Sequence, residues 1–239
     1  MIGVDGCRAG WCVAYDSSED VVVELCDHIS EVVTKTKNLN QILIDIPIGL
    51  PDIIHPRSVE KIARSVMKQR ASTIFETPCR RAVYADSYQK ALSCHQQYSG
   101  KGISIQSWYI CPKIREVDAF LQEQSTYVNV LKEAHPELCF YFLQKELIHL
   151  NSKKTNEGIE QRLAILENWK GEVRDIYQSA RSFFRKKDVQ DDDIIDALCL
   201  WIVNRLSQKK SLSRLVKTEK DKLGLDMNMH YANPHDHEL

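Results

Sequence analysis

Four carboxylates crowd into six residues at Asp191, Asp192, Asp193 and Asp196, and the chain runs from them straight into the apolar helical pattern of Ile194, Ile195, Leu198, Trp201 and Ile202. No other stretch restricts the fold as tightly. A helix apolar at so many positions has to be buried, whereas Asp and Glu are almost never buried unless they are paired or hold a metal. Asp191 and Asp192 sit where the helix should begin, and Asp there caps the helix and complements its dipole. Asp196 lies in the second turn, with Cys199 and Leu200 next on its face, and Asp193 three residues back points the same way. Two like charges on a core-facing helix need a counter-charge, which a divalent cation can supply.

The rest of the chain reads as a sheet for that helix to cover. Residues 1–5, 11–15 and 21–25 read as three short strands linked by tight turns, the second turn being Ser17-Ser18-Glu19-Asp20. A helical stretch over 28–37 closes at Asn38-Leu39-Asn40, and the run 41–47 is almost continuously apolar, as in a strand buried on both faces. The order is β-β-β-α-β, with the fourth strand expected parallel to the first. Beyond it lie a basic helix, a turn-rich loop around Thr77-Pro78, and a helix over 106–122 that Pro112 should break or kink. A fifth strand over 127–132 precedes an aromatic helix over 138–146. Helices follow over 160–169, 175–185 and 191–206, then a basic linker over 208–222 and a short strand within 227–231. The expected class is α/β.

Composition excludes several functions. The 239 residues are 43% hydrophobic, enough for a sizeable core, and no apolar run approaches the roughly 20 residues of a membrane span. The start, MIGVDGCRAGW, lacks the basic and apolar regions of a secretory signal, so a soluble cytoplasmic protein with no membrane partner is expected. Eight scattered cysteines without a CxxC pair point to reduced, buried thiols rather than a zinc ribbon or disulfide scaffold. The net charge of −1 gives no global pull on nucleic acid, but from His55 to Arg81 there are seven Lys or Arg against two Glu. Arg57, Lys61, Arg64 and Lys68 form a stripe at helical spacing, opposite Val59, Ile62, Ala63, Val66 and Met67. Such a stripe either tracks phosphates or is a solvated face.

Three further acids stand out. Asp5 ends the first strand, Asp45 sits among Ile44, Ile46 and Ile48, and Glu137 follows the fifth strand. If strands one and four are parallel neighbours, Asp5 and Asp45 meet at their carboxyl ends, where open α/β sheets bind ligands. Asp193 and Asp196 delivered to that edge would complete a four-carboxylate site. Hard oxygen donors suit Mg²⁺ or Mn²⁺. Two such ions about 3.5–4 Å apart can clamp the attacking and leaving oxygens of a phosphodiester.

The stretches GVDGCRAGW at 3–11, IDIPIGLPD at 44–52, PKIREVD at 112–118, HPELCF at 135–140, SKKT at 152–155 and DDDIIDAL at 191–198 together resemble the family called domain of unknown function 429. That family is described as predicted nucleases of RNase H-like fold, and the spacing Asp193-Ile194-Ile195-Asp196-Ala197 is similar to that of Holliday-junction resolvases of that fold. The resemblance implies an RNase H-like domain over 1–206: a mixed five-stranded sheet, three antiparallel strands then parallel ones, flanked by helices. A helical insertion over about 53–125 and a partly flexible C-terminal extension over 207–239 complete the expected layout. It departs from the family's Arg-x-Cys-Asp pattern, since Val59-Glu60 follow Arg57 and Ser58.

The expected activity is Mg²⁺- or Mn²⁺-dependent hydrolysis of DNA or RNA by a two-metal carboxylate mechanism. Asp5, Asp45, Asp193 and Asp196 are the expected metal ligands, with Glu137 as a fifth catalytic carboxylate. Arg57, Lys61, Arg64, Lys113, Arg115, Lys153 and Lys154 are candidate phosphate contacts, or else surface ion pairs. His135 is either a general acid/base or a turn residue. Trp11 and Trp108 are core residues or base-stacking platforms, and Ser104 and Thr155 read as helix caps or turn residues. Resolvase-like relatives allow a homodimer. Two other readings stand beside this one: a non-catalytic nucleic-acid- or protein-binding protein on the same scaffold, and a phosphotransferase or ATPase resembling the actin-like fold. The segment Asp5-Gly6-Cys7-Arg8-Ala9-Gly10 lacks the hydroxyl residues of an actin-like phosphate loop.

Overall fold

The computed structural model describes residues 1–18, 20–35 and 40–238. The chain divides into two compact units. One comprises Met1–Asp45, Asn129–Ser213 and His230–Leu239, the other Ile46–Val128 and Arg214–Met229. The expected extension over 207–239 is thus shared between the units rather than set apart from both.

In the first unit, strands β1 (Ile2–Cys7), β2 (Gly10–Asp16) and β3 (Val21–Cys26) form an antiparallel meander. A single helical turn, α1 (Ile29–Val32), leads towards β4 (Ile42–Asp45). Glu19 of the expected turn and the expected helix end at 36–39 lie outside the described residues. β4 pairs parallel with β1, and the short β5 (Leu131–Glu133) pairs parallel with β4, so the sheet order is β3-β2-β1-β4-β5. Ile42, Leu43 and Ile44 are fully buried, as the continuous apolar run requires.

The register of the carboxylate-bearing helix is set by β1. In the second unit the helices run α2 (Val59–Met67), α3 (Arg80–Val83), α4 (Tyr88–Ser99) and α5 (Ile105–Glu123). The first unit continues with α6 (Pro136–Leu143), α7 (Asn156–Glu167), α8 (Val173–Phe183) and α9 (Asp191–Leu206). α9 lies across β1, β2 and β4. A Cβ on Gly3 would fall 2.1 Å from the Trp201 backbone nitrogen and 2.4 Å from the Ala197 carbonyl oxygen. Only glycine lets the helix backbone rest on the strand that closely. At the far end, Asn204 Nδ2 donates to the carbonyls of Ile2 at 2.8 Å and Gln41 at 3.1 Å. α9 therefore runs antiparallel to β1 and β4, with its first turns over their carboxyl ends. Asp5, two residues beyond Gly3, faces the same side of the sheet.

The second unit corrects two expectations. Pro112 does not break α5, a helix of 19 residues that runs unbroken through it. Pro112 is on the exposed side, while Cys111, Ile114, Val117 and Leu121 bury the opposite face, so burial outweighs one lost backbone bond. The loop around Thr77-Pro78 is present over residues 74–79, and between it and α5 lie α3 and α4, neither of them expected. α4 is capped by Ser87, whose hydroxyl accepts from the Lys90 N–H, and it ends at Gly100 with a left-handed φ of 73°. Only Ala91 and His95 of α4 are buried, so its apolar period is too thin to stand out. The linker expected over 208–222 is folded, because the Asp221 carboxylate accepts from the N–H groups of Leu50, Leu223 and Leu225. The eight cysteines are free, seven of them buried. Among the described residues, no helix is long and apolar enough to cross a membrane.

Candidate metal centre

Asp5 and Asp45 are register partners at the ends of β1 and β4, and Asp196 comes down on them from the second turn of α9. Asp196 is fully buried, Asp5 nearly so, and Asp45 half-buried. Each offers a carboxylate oxygen within 4.8 Å of the others'. Asp5 shares a hydrogen bond with Asp45. Burial raises the Asp5 carboxyl well above the usual range, and the charges of Asp45, Asp196 and Asp193 add to this. Burial also pushes Asp45 and Asp196 up to about 6, against the opposing pull of Lys153.

Lys153 is the one internal cation placed on this trio among the described residues. Its Nζ lies 2.6 Å from Asp196 Oδ2 and 3.4 Å from Asp192 Oδ2. Burial pulls its ammonium down, but Asp196, Asp5 and Asp192 together hold it above the usual lysine range. Lys154 sits on both oxygens of Asp192 at 2.8 Å and on Gln190 Oε1 at 2.7 Å. The two lysines expected to meet phosphate are thus part of the carboxylate cluster itself. Thr155 caps α7, accepting from the Gly158 N–H as expected of it.

The division of labour along 191–196 differs from the expected one. Gln190 is the N-cap, so Asp193 falls at the third helical position and closes a capping box, its Oδ2 accepting from the Gln190 N–H at 2.7 Å. Asp193 is half-buried and lies outside the trio of converging oxygens. Burial still pushes it up to about 6, aided by Asp192 and Asp196. Asp192 is buried beneath the two lysines, and Asp191 turns to Tyr177, Arg181 and Lys186.

Glu137 lies in the first turn of α6, where its Oε1 accepts from Arg162 Nη2 at 2.5 Å. It is close enough to raise Asp45 and Asp196 but is not one of the trio. Sequence reasoning missed Arg162 and the lysine anchor Asp192. Arg162 had a signal: it falls on the apolar stripe of α7, between Ile159 and Leu166.

The remaining candidates lie in the second unit. Arg57 is buried, with Nε on Glu60 Oε1 at 2.5 Å and Nη1 on the Ile48 and Gly49 carbonyls. Arg64 Nε donates to the Ile74 carbonyl, and Arg115 to those of Val83 and Ala85. These three arginines brace their own unit. A phosphate contact would draw Arg57 out of a buried pair. Lys61 is exposed and Lys113 half-buried. Trp11 is fully buried and Trp108 packs beside Tyr88 on the core of the second unit, so both fit the core reading. Ser104 caps α5, and His135 occupies the N-cap position of α6 without a side-chain cap.

The donor set fits a hard divalent cation. Octahedral Mg²⁺ with oxygens at about 2.0–2.1 Å puts neighbouring oxygens about 3 Å and opposite ones about 4.2 Å apart. The trio's oxygens lie within that reach with modest adjustment. Asp196 Oδ1 is buried and takes no hydrogen bond, an arrangement that is costly for a carboxylate unless another ligand completes it.

Residues 3–220 match the family described as Protein of unknown function (DUF429). The chain belongs to that family. No curated protein and no solved structure matches it.

Proposed function

We propose that this family member is a divalent-metal-dependent nuclease on an RNase H-like sheet, hydrolysing phosphodiester bonds in nucleic acid. The observation that carries the reading is the convergence of Asp5, Asp45 and Asp196 oxygens within 4.8 Å at the carboxyl ends of two parallel strands. Three antiparallel strands followed by two parallel ones, with the acids on β1, β4 and the closing helix, support the RNase H-like assignment.

Asp5, Asp45 and Asp196 would hold Mg²⁺ or Mn²⁺. The bound cation would lower the pKa of an attacking water and neutralise charge on the phosphate. The chain's own contribution is rigidity. Two ligands stand on paired strands and the third on a helix locked to them at Gly3 and Asn204, so the site is organised before substrate arrives. The Lys153 side chain is one-third exposed and can face a phosphate oxygen while remaining on Asp196.

The test is cleavage of single-stranded and duplex DNA and RNA in the presence of Mg²⁺ or Mn²⁺. Cleavage that chelator stops and Asp5→Asn abolishes is the expected result. A folded wild-type protein that binds the cation yet cuts none of these substrates would sink the reading.

A further inference from the structure

How many cations the centre takes follows from how its oxygens are already used; the inference rests on the metal-site reading above. In a two-ion centre a shared carboxylate gives one oxygen to each cation, the ions standing about 3.5–4 Å apart. Asp196 is arranged as such a bridge, but one side is filled from within the chain. Its Oδ2 is taken by Lys153 Nζ at 2.6 Å, whereas its Oδ1 is buried without a hydrogen-bond partner. Asp193 Oδ2 is engaged in the capping box, where it accepts from the Gln190 N–H at 2.7 Å. Asp192 is held by Lys154 through both oxygens. Among the described residues, one set of three carboxylates offers converging oxygens, that of Asp5, Asp45 and Asp196.

Lys153 is also delivered by a fixed loop. Thr155 Oγ1 donates to the Ser152 carbonyl at 2.9 Å and accepts from the Gly158 N–H at 3.1 Å. A Cβ at Gly158 would sit 2.0 Å from the Ser152 oxygen, so glycine is what lets the start of α7 press on this loop. Arg162 Nη1 donates to the carbonyls of Asn151 at 3.0 Å and Gly158 at 2.8 Å. Lys154, next in the chain, is anchored on Asp192.

We propose that the centre binds a single divalent cation through Asp5, Asp45 and Asp196 Oδ1, and that the Lys153 ammonium stands in the place of a second cation. The pair of ions expected from the sequence becomes one ion and one ammonium. During hydrolysis the ion would serve one side of the scissile phosphate and Lys153 the other, as a fixed positive charge.

Titration of the full-length protein with Mn²⁺, followed by calorimetry and electron paramagnetic resonance, tests this without any measurement of activity. Sites absent in Asp5→Asn define the centre and are the ones counted. The wild type should bind one equivalent and give a mononuclear six-line spectrum. Lys153→Met removes the charge at similar length and should admit a second equivalent with an exchange-coupled spectrum, whereas Lys153→Arg should remain at one. Two coupled ions in the wild type would overturn the proposal, and so would a Lys153→Met protein, folded by circular dichroism, that still takes one. No Asp5-dependent binding in the wild type would instead overturn the metal-site reading beneath it.

Discussion

Both units bury carboxylates, but they treat them differently. In the second unit the buried carboxylates among the described residues, Glu60, Asp118 and Asp221, each receive several donors. Glu60 receives Arg57 and Thr77, each at 2.5 Å. Asp118 Oδ2 receives Arg80, Tyr84 and Gln122, leaving Oδ1 bare, and Asp221 receives Arg80 and three backbone N–H groups. In the first unit Asp5, Asp45 and Asp196 share one ammonium, that of Lys153, and a hydrogen bond between two of the acids themselves. Donor-rich carboxylates hold a fold together. Carboxylates crowded beyond their internal donors store electrostatic repulsion, which a ligand cation can relieve.

The largest expected effect separates the two groups by activity. Asp5→Asn should lower cleavage by about 10³-fold or more, the scale on which removal of an electrostatic group at a reacting centre is felt. The same substitution relieves like-charge repulsion, so the melting temperature of the metal-free protein should stay level or rise. A fall of many degrees would place Asp5 with the structural carboxylates and erase the contrast. Asp118→Ala should do the reverse in stability. It removes one of the two carboxylates that hold Arg80, Asp221 remaining, together with the acceptor of the Tyr84 hydroxyl, so the cost is that of lost partly buried hydrogen bonds, about 1–3 kcal/mol. Chemical denaturation of the variant should show a loss of that size, and a loss below about 1 kcal/mol would mean that the pair is no more than a surface bridge.

These contrasts explain what was legible in the chain. The strand order, the parallel pairing of β1 with β4 and the start of α9 at Asp191 are all readable, because apolar periodicity and turn residues are local signals. Asp45 was visible as an acid inside an apolar strand. What could not be read is pairing across long separations. Arg162 reaching Glu137 spans 25 residues and Lys153 reaching Asp196 spans 43, and local signals can mark such residues but not which one pairs with which. The capping role of Asp193, expected only as a ligand, was missed for a different reason. The helix begins at Asp191 as expected, but its N-cap is Gln190 rather than an Asp, which puts Asp193 at the capping-box position.

Acidity sharpens the comparison further. The folded-state pKa values of Asp45, Asp193 and Asp196 are raised to about 6, and that of Asp5 well above its ordinary 3.8. Below the unfolded value these groups are protonated in both states and cost nothing. As pH rises the unfolded chain ionises first, so the contribution of Asp45, Asp193 and Asp196 is lost between about 4 and 6 and stays lost above, and that of Asp5 is lost as pH climbs towards its own raised value. Metal-free protein should therefore melt lower at pH 7 than at pH 5. Mg²⁺ or Mn²⁺ binds the ionised form, so the rise in melting temperature with metal should grow over the same interval. A stabilisation by metal that is the same at pH 5 and pH 7 would contradict the crowded-carboxylate account.

The smallest expected effect tests the comparison within a single helix. Asp191 precedes Asp196 by five residues, yet it belongs with the donor-rich acids. It accepts from the Tyr177 hydroxyl at 3.0 Å, and Lys186 lies at 3.1 Å and Arg181 at 3.4 Å. Burial pushes its carboxyl up, but Lys186, Tyr177 and Arg181 outweigh that and hold it below the usual range. Its charge also complements the start of α9. Asp191→Asn keeps the shape and removes the charge, so it should cost about 0.5–1 kcal/mol, as partly exposed pairs and helix-end charges do. Mn²⁺ stoichiometry should be unchanged. Loss of metal binding in this variant would show that the cluster extends to the first residue of the helix, and the line between structural and ligand-seeking carboxylates would then have to be drawn elsewhere.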